Sequence, residues 1–127
     1  MNTEKSLQDT INTSCNRLEE TASSMGITLN KTPTSVADLE EIIIALRGIR
    51  ADESTMKGAT FMVGVYLGEI LRAKLGGDWS NSADNELLLT IGEIAYSPVV
   101  KARKFAANPK GANGLSFFAN AALSLVA

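Results

Sequence analysis

Glu69 is the acid in this chain best placed to do chemistry. It is the only one between Glu53 and Asp78, and it follows Phe61, Met62, Val65, Tyr66 and Leu67. A carboxylate in such company must find a cation or hydrogen-bond donors, or its pKa rises until it is neutral. Arg72 stands three residues on, and Lys101 or Lys104 could reach it from a basic segment later in the chain. A structural ion pair or network is the favoured reading, with a ligand-facing or catalytic carboxylate as the alternative. The chain has no histidine, which removes the commonest general base, the commonest metal ligand and every Ser-His or Cys-His nucleophile. Gly64-Val65-Tyr66-Leu67-Gly68 is not a phosphate-binding loop, because its spacing is wrong and it falls inside a helical pattern. The adjacent pairs Glu19-Glu20 and Glu40-Glu41 point in different directions on a helix and are expected to be solvated charges. No cofactor or metal site is implied.

The elements that must position these residues can be read from periodicity. Leu7, Ile11, Cys15, Leu18, Ala22 and Met25 recur at helical spacing, and Gly26 ends the run. Cys15 lies on that stripe and reads as a small buried hydrophobe, not a reactive thiol. Ser35, with Asp38 three residues on, is expected to cap a second helix running to about Arg50, its apolar arc formed by Val36, Leu39, Ile42, Ile43, Leu46 and Ile49. A third helix starts at Asp52 or Ser54 and stops at Gly76-Gly77. It contains Gly58, Gly64 and Gly68, each costing about 0.8 to 1 kcal/mol relative to alanine, so the missing side chains are expected to serve packing. Gly64 and Gly68, four residues apart, predict a close helix crossing.

Residues 80–85 read as an exposed polar loop, followed by two short apolar runs, Leu87 to Ile91 and Ile94 to Tyr96, around Gly92. This pattern suggests a small β-hairpin, with a short helix as the alternative. Ser97-Pro98 opens a fourth helix to about Ala107. After a turn-rich loop, Asn113 can cap a fifth helix, uncharged from Leu115 onward. Leu115, Phe117, Phe118 and Leu123 occupy more than one of its faces, which predicts a homodimer interface, or else a helix at the centre of the core.

The 127 residues, 45% of them hydrophobic and 20% charged, are enough for one core, so residues 1–127 are read as a single compact, mainly α domain of about five helices. Net charge is −2, but residues 97–127 carry four basic side chains, Lys101, Arg103, Lys104 and Lys110, and no acid. A solvated helix face explains them better than an anion site, and a nucleic-acid footprint would need a larger basic stripe. The lone cysteine, the absence of a signal-like start and the lack of a long apolar run point to the cytoplasm and away from a membrane.

Tyr66-Leu67-Gly68-Glu69, Leu75-Gly76-Gly77 with Trp79, Pro98 with Lys101, and Asn113-Gly114 together resemble a group of small bacterial proteins of unknown function. Those proteins share a helix ending in a Tyr-Leu-Gly-Glu and Leu-Gly-Gly-x-Trp pattern. The resemblance covers roughly residues 58–118 and implies no activity; in general character the chain is also similar to products of mobile bacterial gene cassettes. It implies that Gly68 lets another backbone or ring lie close, that Gly76-Gly77 turns the chain, and that Trp79 folds back over the helix. Tyr66, Glu69, Arg72, Trp79 and Lys101 are then the candidate ligand or partner site. The functional expectation is a non-enzymatic binding or interaction protein that self-associates. The alternative is a small-molecule-binding protein or unusual enzyme centred on Glu69, Tyr66 and Trp79.

Overall fold

The computed structural model describes residues 3–84, 86–109 and 114–126. The elements are five helices, α1 (Thr3–Ser24), α2 (Ser35–Gly48), α3 (Glu53–Leu75), α4 (Pro98–Ala107) and α5 (Leu115–Val126), and a sheet of β1 (Asp78–Asn81), β2 (Leu87–Ile91) and β3 (Ile94–Tyr96) inserted between α3 and α4 and packed on both through β2. The fold is mainly α, as the periodicity predicts. No described helix is long and apolar enough to cross a membrane.

The axis of the domain is α3, which packs against α1, α2, α4, α5 and β2. Its residues from Val63 to Leu71 are buried without interruption, so the helix is enclosed on every side along this stretch. The Asp52 carboxylate caps it by accepting from the Thr55 backbone N at 2.7 Å, and Gly76 ends it at φ 77°. Two of its glycines answer steric demands. A Cβ at Gly64 would stand 2.4 Å from the Val99 Cα, so α4 crosses α3 in direct backbone contact there. At Gly68 the same atom would stand 2.2 Å from the Trp79 ring. The predicted close approach is present, but its second half is made by an indole. A Cβ at Gly58 would meet no atom of the described residues within 4 Å beyond its own helix backbone.

On α1 the stripe of Ile11, Cys15, Leu18 and Ala22 is buried, whereas Met25 lies beyond the helix end and is exposed. On α2 Ser35 is not the cap. Thr34 precedes the helix, and the buried Ser35 hydroxyl instead donates to Asn30 Oδ1 at 2.7 Å and accepts from the Asn30 backbone N at 3.1 Å. The helix stops at Gly48, and Ile49 is 75% exposed, so the buried arc is narrower than the apolar sequence.

The sheet contains the expected hairpin and one more strand. β2 pairs antiparallel with β1 and β3, through Trp79↔Leu89 and Leu89↔Tyr96 among others. Gly92, at φ 61°, begins a two-residue turn between Ile91 and Ile94 of the kind that suits a tight hairpin. Leu87, Leu89 and Ile91 alternate inward to the core. The start of the stretch read as polar loop belongs to β1. As an edge strand it turns only Trp79 partly inward and leaves Asp78, Ser80 and Asn81 exposed, so it carries no apolar alternation for the sequence to show.

α5 is more one-sided than its composition suggests. Leu115, Ala119 and Ala122 are buried, Phe118 and Leu123 are half-buried, and Asn120, Ala121 and Ser124 are exposed with Phe117. Leu115 is therefore part of the core of one chain and is not available to an interface, and α3, not α5, is the central element.

Candidate functional site

Glu69 is 7% exposed and fully engaged. Its Oε2 accepts from Arg72 Nε at 2.7 Å and from Trp79 Nε1 at 2.8 Å, and its Oε1 accepts from Arg72 Nη2 at 3.2 Å. The helix supplies Arg72 from one turn away, and the Gly76-Gly77 reversal supplies Trp79 by returning the chain along α3. Gly77, at φ 119°, leaves no room for a side chain, since a Cβ would meet the Thr90 carbonyl oxygen at 2.8 Å. Burial pushes the Glu69 carboxyl up, but the hydrogen bonds from Arg72 and Trp79 outweigh it and hold the group below its ordinary range. The Glu69 hydrogen bonds in turn raise the pKa of the Arg72 guanidinium, which stays charged.

Tyr66 faces a different set of partners. Its hydroxyl donates to Glu19 Oε2 at 2.8 Å and accepts from the Lys31 backbone N at 3.0 Å, tying α3 to α1 and to the α1–α2 linker. Lys31 holds a left-handed φ of 57° to present that N–H. Burial first, and the Glu19 hydrogen bond second, push the phenol well above its usual value. Cys15 is in electrostatic reach of the same charges, and burial lifts its thiol to about 11. The interior thus holds a thiol, a phenol and a carboxylate, the first two shifted toward their protonated forms and the third held ionised.

The structure brings Glu69, Arg72 and Trp79 together, and it does not bring Tyr66 or Lys101 to that carboxylate. Lys101 Nζ lies 5.6 Å from the centroid of the Phe118 ring, which meets Tyr96 edge-on at 5.8 Å. Among the described residues, the Tyr96 hydroxyl is the buried side-chain polar atom without a partner. Arg103 pairs with Glu86. These basic residues of α4 therefore engage separate partners and form no continuous stripe, and Lys110 lies outside the described residues.

Glu40 departs from the solvated role expected of it. From α2 it reaches the start of α5, where its Oε2 accepts from the Leu115 backbone N at 2.8 Å and its Oε1 accepts from Ser116 Oγ at 3.0 Å. A carboxylate at a helix N-terminus satisfies free N–H groups and complements the helix dipole. Asn113, the expected cap, lies outside the described residues.

Surface concavities among the described residues lie elsewhere, and three of them are well formed. A groove of about 560 Å³ runs between α1 and α3, with Asp9, Thr10, Thr13, Ser14 and Arg17 on one wall and Gly58, Phe61 and Met62 on the other. Phe61 also borders a recess of about 240 Å³ shared with Lys57, Glu86, Leu87, Val99 and Arg103. A third, of about 470 Å³, lies among Arg47, Arg50, Ala51, Glu53, Met56, Ala106 and Ala107. None of the three includes Tyr66, Glu69 or Trp79. Sequence reasoning missed the α1–α3 groove, although Gly58, a helix-interior glycine, was its one visible signal. Among the described residues no three His, Cys, Asp or Glu side chains converge as a metal site. Comparison of the chain with protein-family models, characterised proteins and solved structures finds no match.

Proposed function

We propose that this chain acts by binding and not by catalysis, and that copies of it associate with one another. The observation that carries this reading is Gly58. It sits inside α3, where glycine costs about 1 kcal/mol relative to alanine, and beyond its own helix backbone no atom of the described residues would lie within 4 Å of a Cβ there. It lines an open groove with the half-buried Phe61 and Met62. Gly64 and Gly68 are accounted for by Val99 and Trp79, so a surface that uses the third missing side chain is one that something outside the chain approaches.

The groups best suited to catalysis support the same reading from the other side. The Glu69 carboxylate is taken up by Arg72 and Trp79, the Tyr66 hydroxyl both donates and accepts, and Cys15 is buried with its thiol lifted to about 11. The lone buried cysteine also fits a reducing compartment, and we read the cytoplasm as the site of action.

Sedimentation equilibrium across micromolar concentrations tests self-association. The expected result is an average mass that climbs from 13.5 kDa toward twice that value as concentration rises. A mass constant at 13.5 kDa overturns it.

A further inference from the structure

The wall of the α1–α3 groove carries its charges in an order that is its own complement. Asp9 and Arg17 stand eight residues apart on α1, about 12 Å along the helix axis, with Thr13 midway between them. Both are exposed, and neither forms an ion pair with another described residue. The residues between the charges on this wall, Thr13 and Ser14 among them, are short, and Gly58 opposite has no side chain at all. That centre is where a second helix can come closest, and Phe61 and Met62 offer it apolar surface.

In a two-fold contact, if residue i of one copy meets residue j of the other, then j meets i. Crossing α1 antiparallel over α1 of a second copy, with the axis near Thr13, sets Asp9 of each copy against Arg17 of the other at both ends. A parallel crossing sets Asp9 on Asp9 and Arg17 on Arg17, so the charges also select the direction. The geometry points to an occupant for the groove: α1 of a second copy of this chain, lying antiparallel in the channel between α1 and α3. This inference rests on the self-association proposed above and names its surface. The competing surface is α5, where Phe117 is 64% exposed.

Charge reversal tests it directly, read as dimer dissociation constants by sedimentation equilibrium. Asp9→Arg alone and Arg17→Asp alone each replace two attractions by two repulsions and are expected to weaken the dimer roughly tenfold or more. Mixing the two single variants restores both pairs in the heterodimer, as does combining them in one chain, so both samples are expected to associate like the wild type. Gly58→Leu starts from a Cβ that meets no described atom within 4 Å beyond its own helix backbone, so it adds bulk to the groove and is expected to give a folded monomer whose denaturation midpoint is no lower than that of the wild type. If the wild type dimerises while both single reversals and Gly58→Leu dimerise equally well, this interface is wrong and self-association stands; Phe117→Ser then reports whether α5 carries it. A wild type that stays monomeric overturns the interface and the self-association reading together.

Discussion

The Trp79 indole donates to the Glu69 carboxylate at 2.8 Å while its ring occupies the space above Gly68, the residue just before Glu69 on α3. One side chain from the edge strand thereby satisfies the buried acid and fills the gap left by the glycine. Strand β1 is held to α3 by packing and a charged hydrogen bond at the same point.

Glu69→Gln is expected to lower stability by about 1 to 3 kcal/mol, because Arg72 loses its charged partner and the site its best acceptor. The folded-state pKa of Glu69 is below its ordinary 4.5, so the stabilisation is fully present above that value and is lost as the pH falls through and below it. Denaturant titrations of both proteins at several pH values should show the gap between them narrowing on acidification below about 4.5. A gap that is constant down to strong acid would mean that the carboxylate charge contributes nothing.

The three glycines of α3 should respond to alanine in different ways. Gly64→Ala and Gly68→Ala each force a Cβ into occupied space, 2.4 Å from the Val99 Cα and 2.2 Å from the Trp79 ring respectively. Both are expected to destabilise by about 1 to 3 kcal/mol, as overpacking does; Gly68→Leu should be at least as costly despite its better helix propensity. The indole can give way where a backbone cannot, so Gly64→Ala should be the worse alanine variant, and Gly68→Ala should alter tryptophan fluorescence. Gly58→Ala, measured at concentrations where the chain is monomeric, should instead stabilise by up to about 1 kcal/mol.

Glu40→Ala should cost about 0.5 to 2 kcal/mol through loss of its cap on α5. Amide exchange at Leu115 and Ser116, whose N–H groups the carboxylate covers, should accelerate more than exchange at Val65 or Leu67. Equal acceleration throughout would show global destabilisation instead.

Cys15 should resist thiol reagents in the folded protein. Burial lifts its pKa from 9.0 to about 11, which alone reduces the reactive thiolate near pH 8 roughly a hundredfold. Labelling should therefore proceed through opening of the fold and quicken as denaturant is added. Rapid labelling of native protein would contradict the packing of α1 on α3.

What the sequence by itself determined was local. The helical stripe containing Cys15, the stop at Gly76-Gly77, the Ser97-Pro98 start and the requirement that Glu69 find donors all follow from backbone geometry and solvation within a few residues. The return of Trp79 over α3 was implied by the resemblance alone, and the pair of glycines beside it permits that turn without dictating its direction. Tertiary structure decided everything that depended on which elements meet. It sent Tyr66 to Glu19 and Lys31, placed Lys101 over Phe118, and used Glu40 to cap a helix 75 residues away. It recruited an edge strand with almost no apolar signal, and it made α3 the axis while leaving Phe117 of the more uniformly apolar α5 in solvent. Periodicity records which faces of an element avoid water, but a hydrogen bond or ion pair is chosen by distance after packing, and distance between remote segments has no local code.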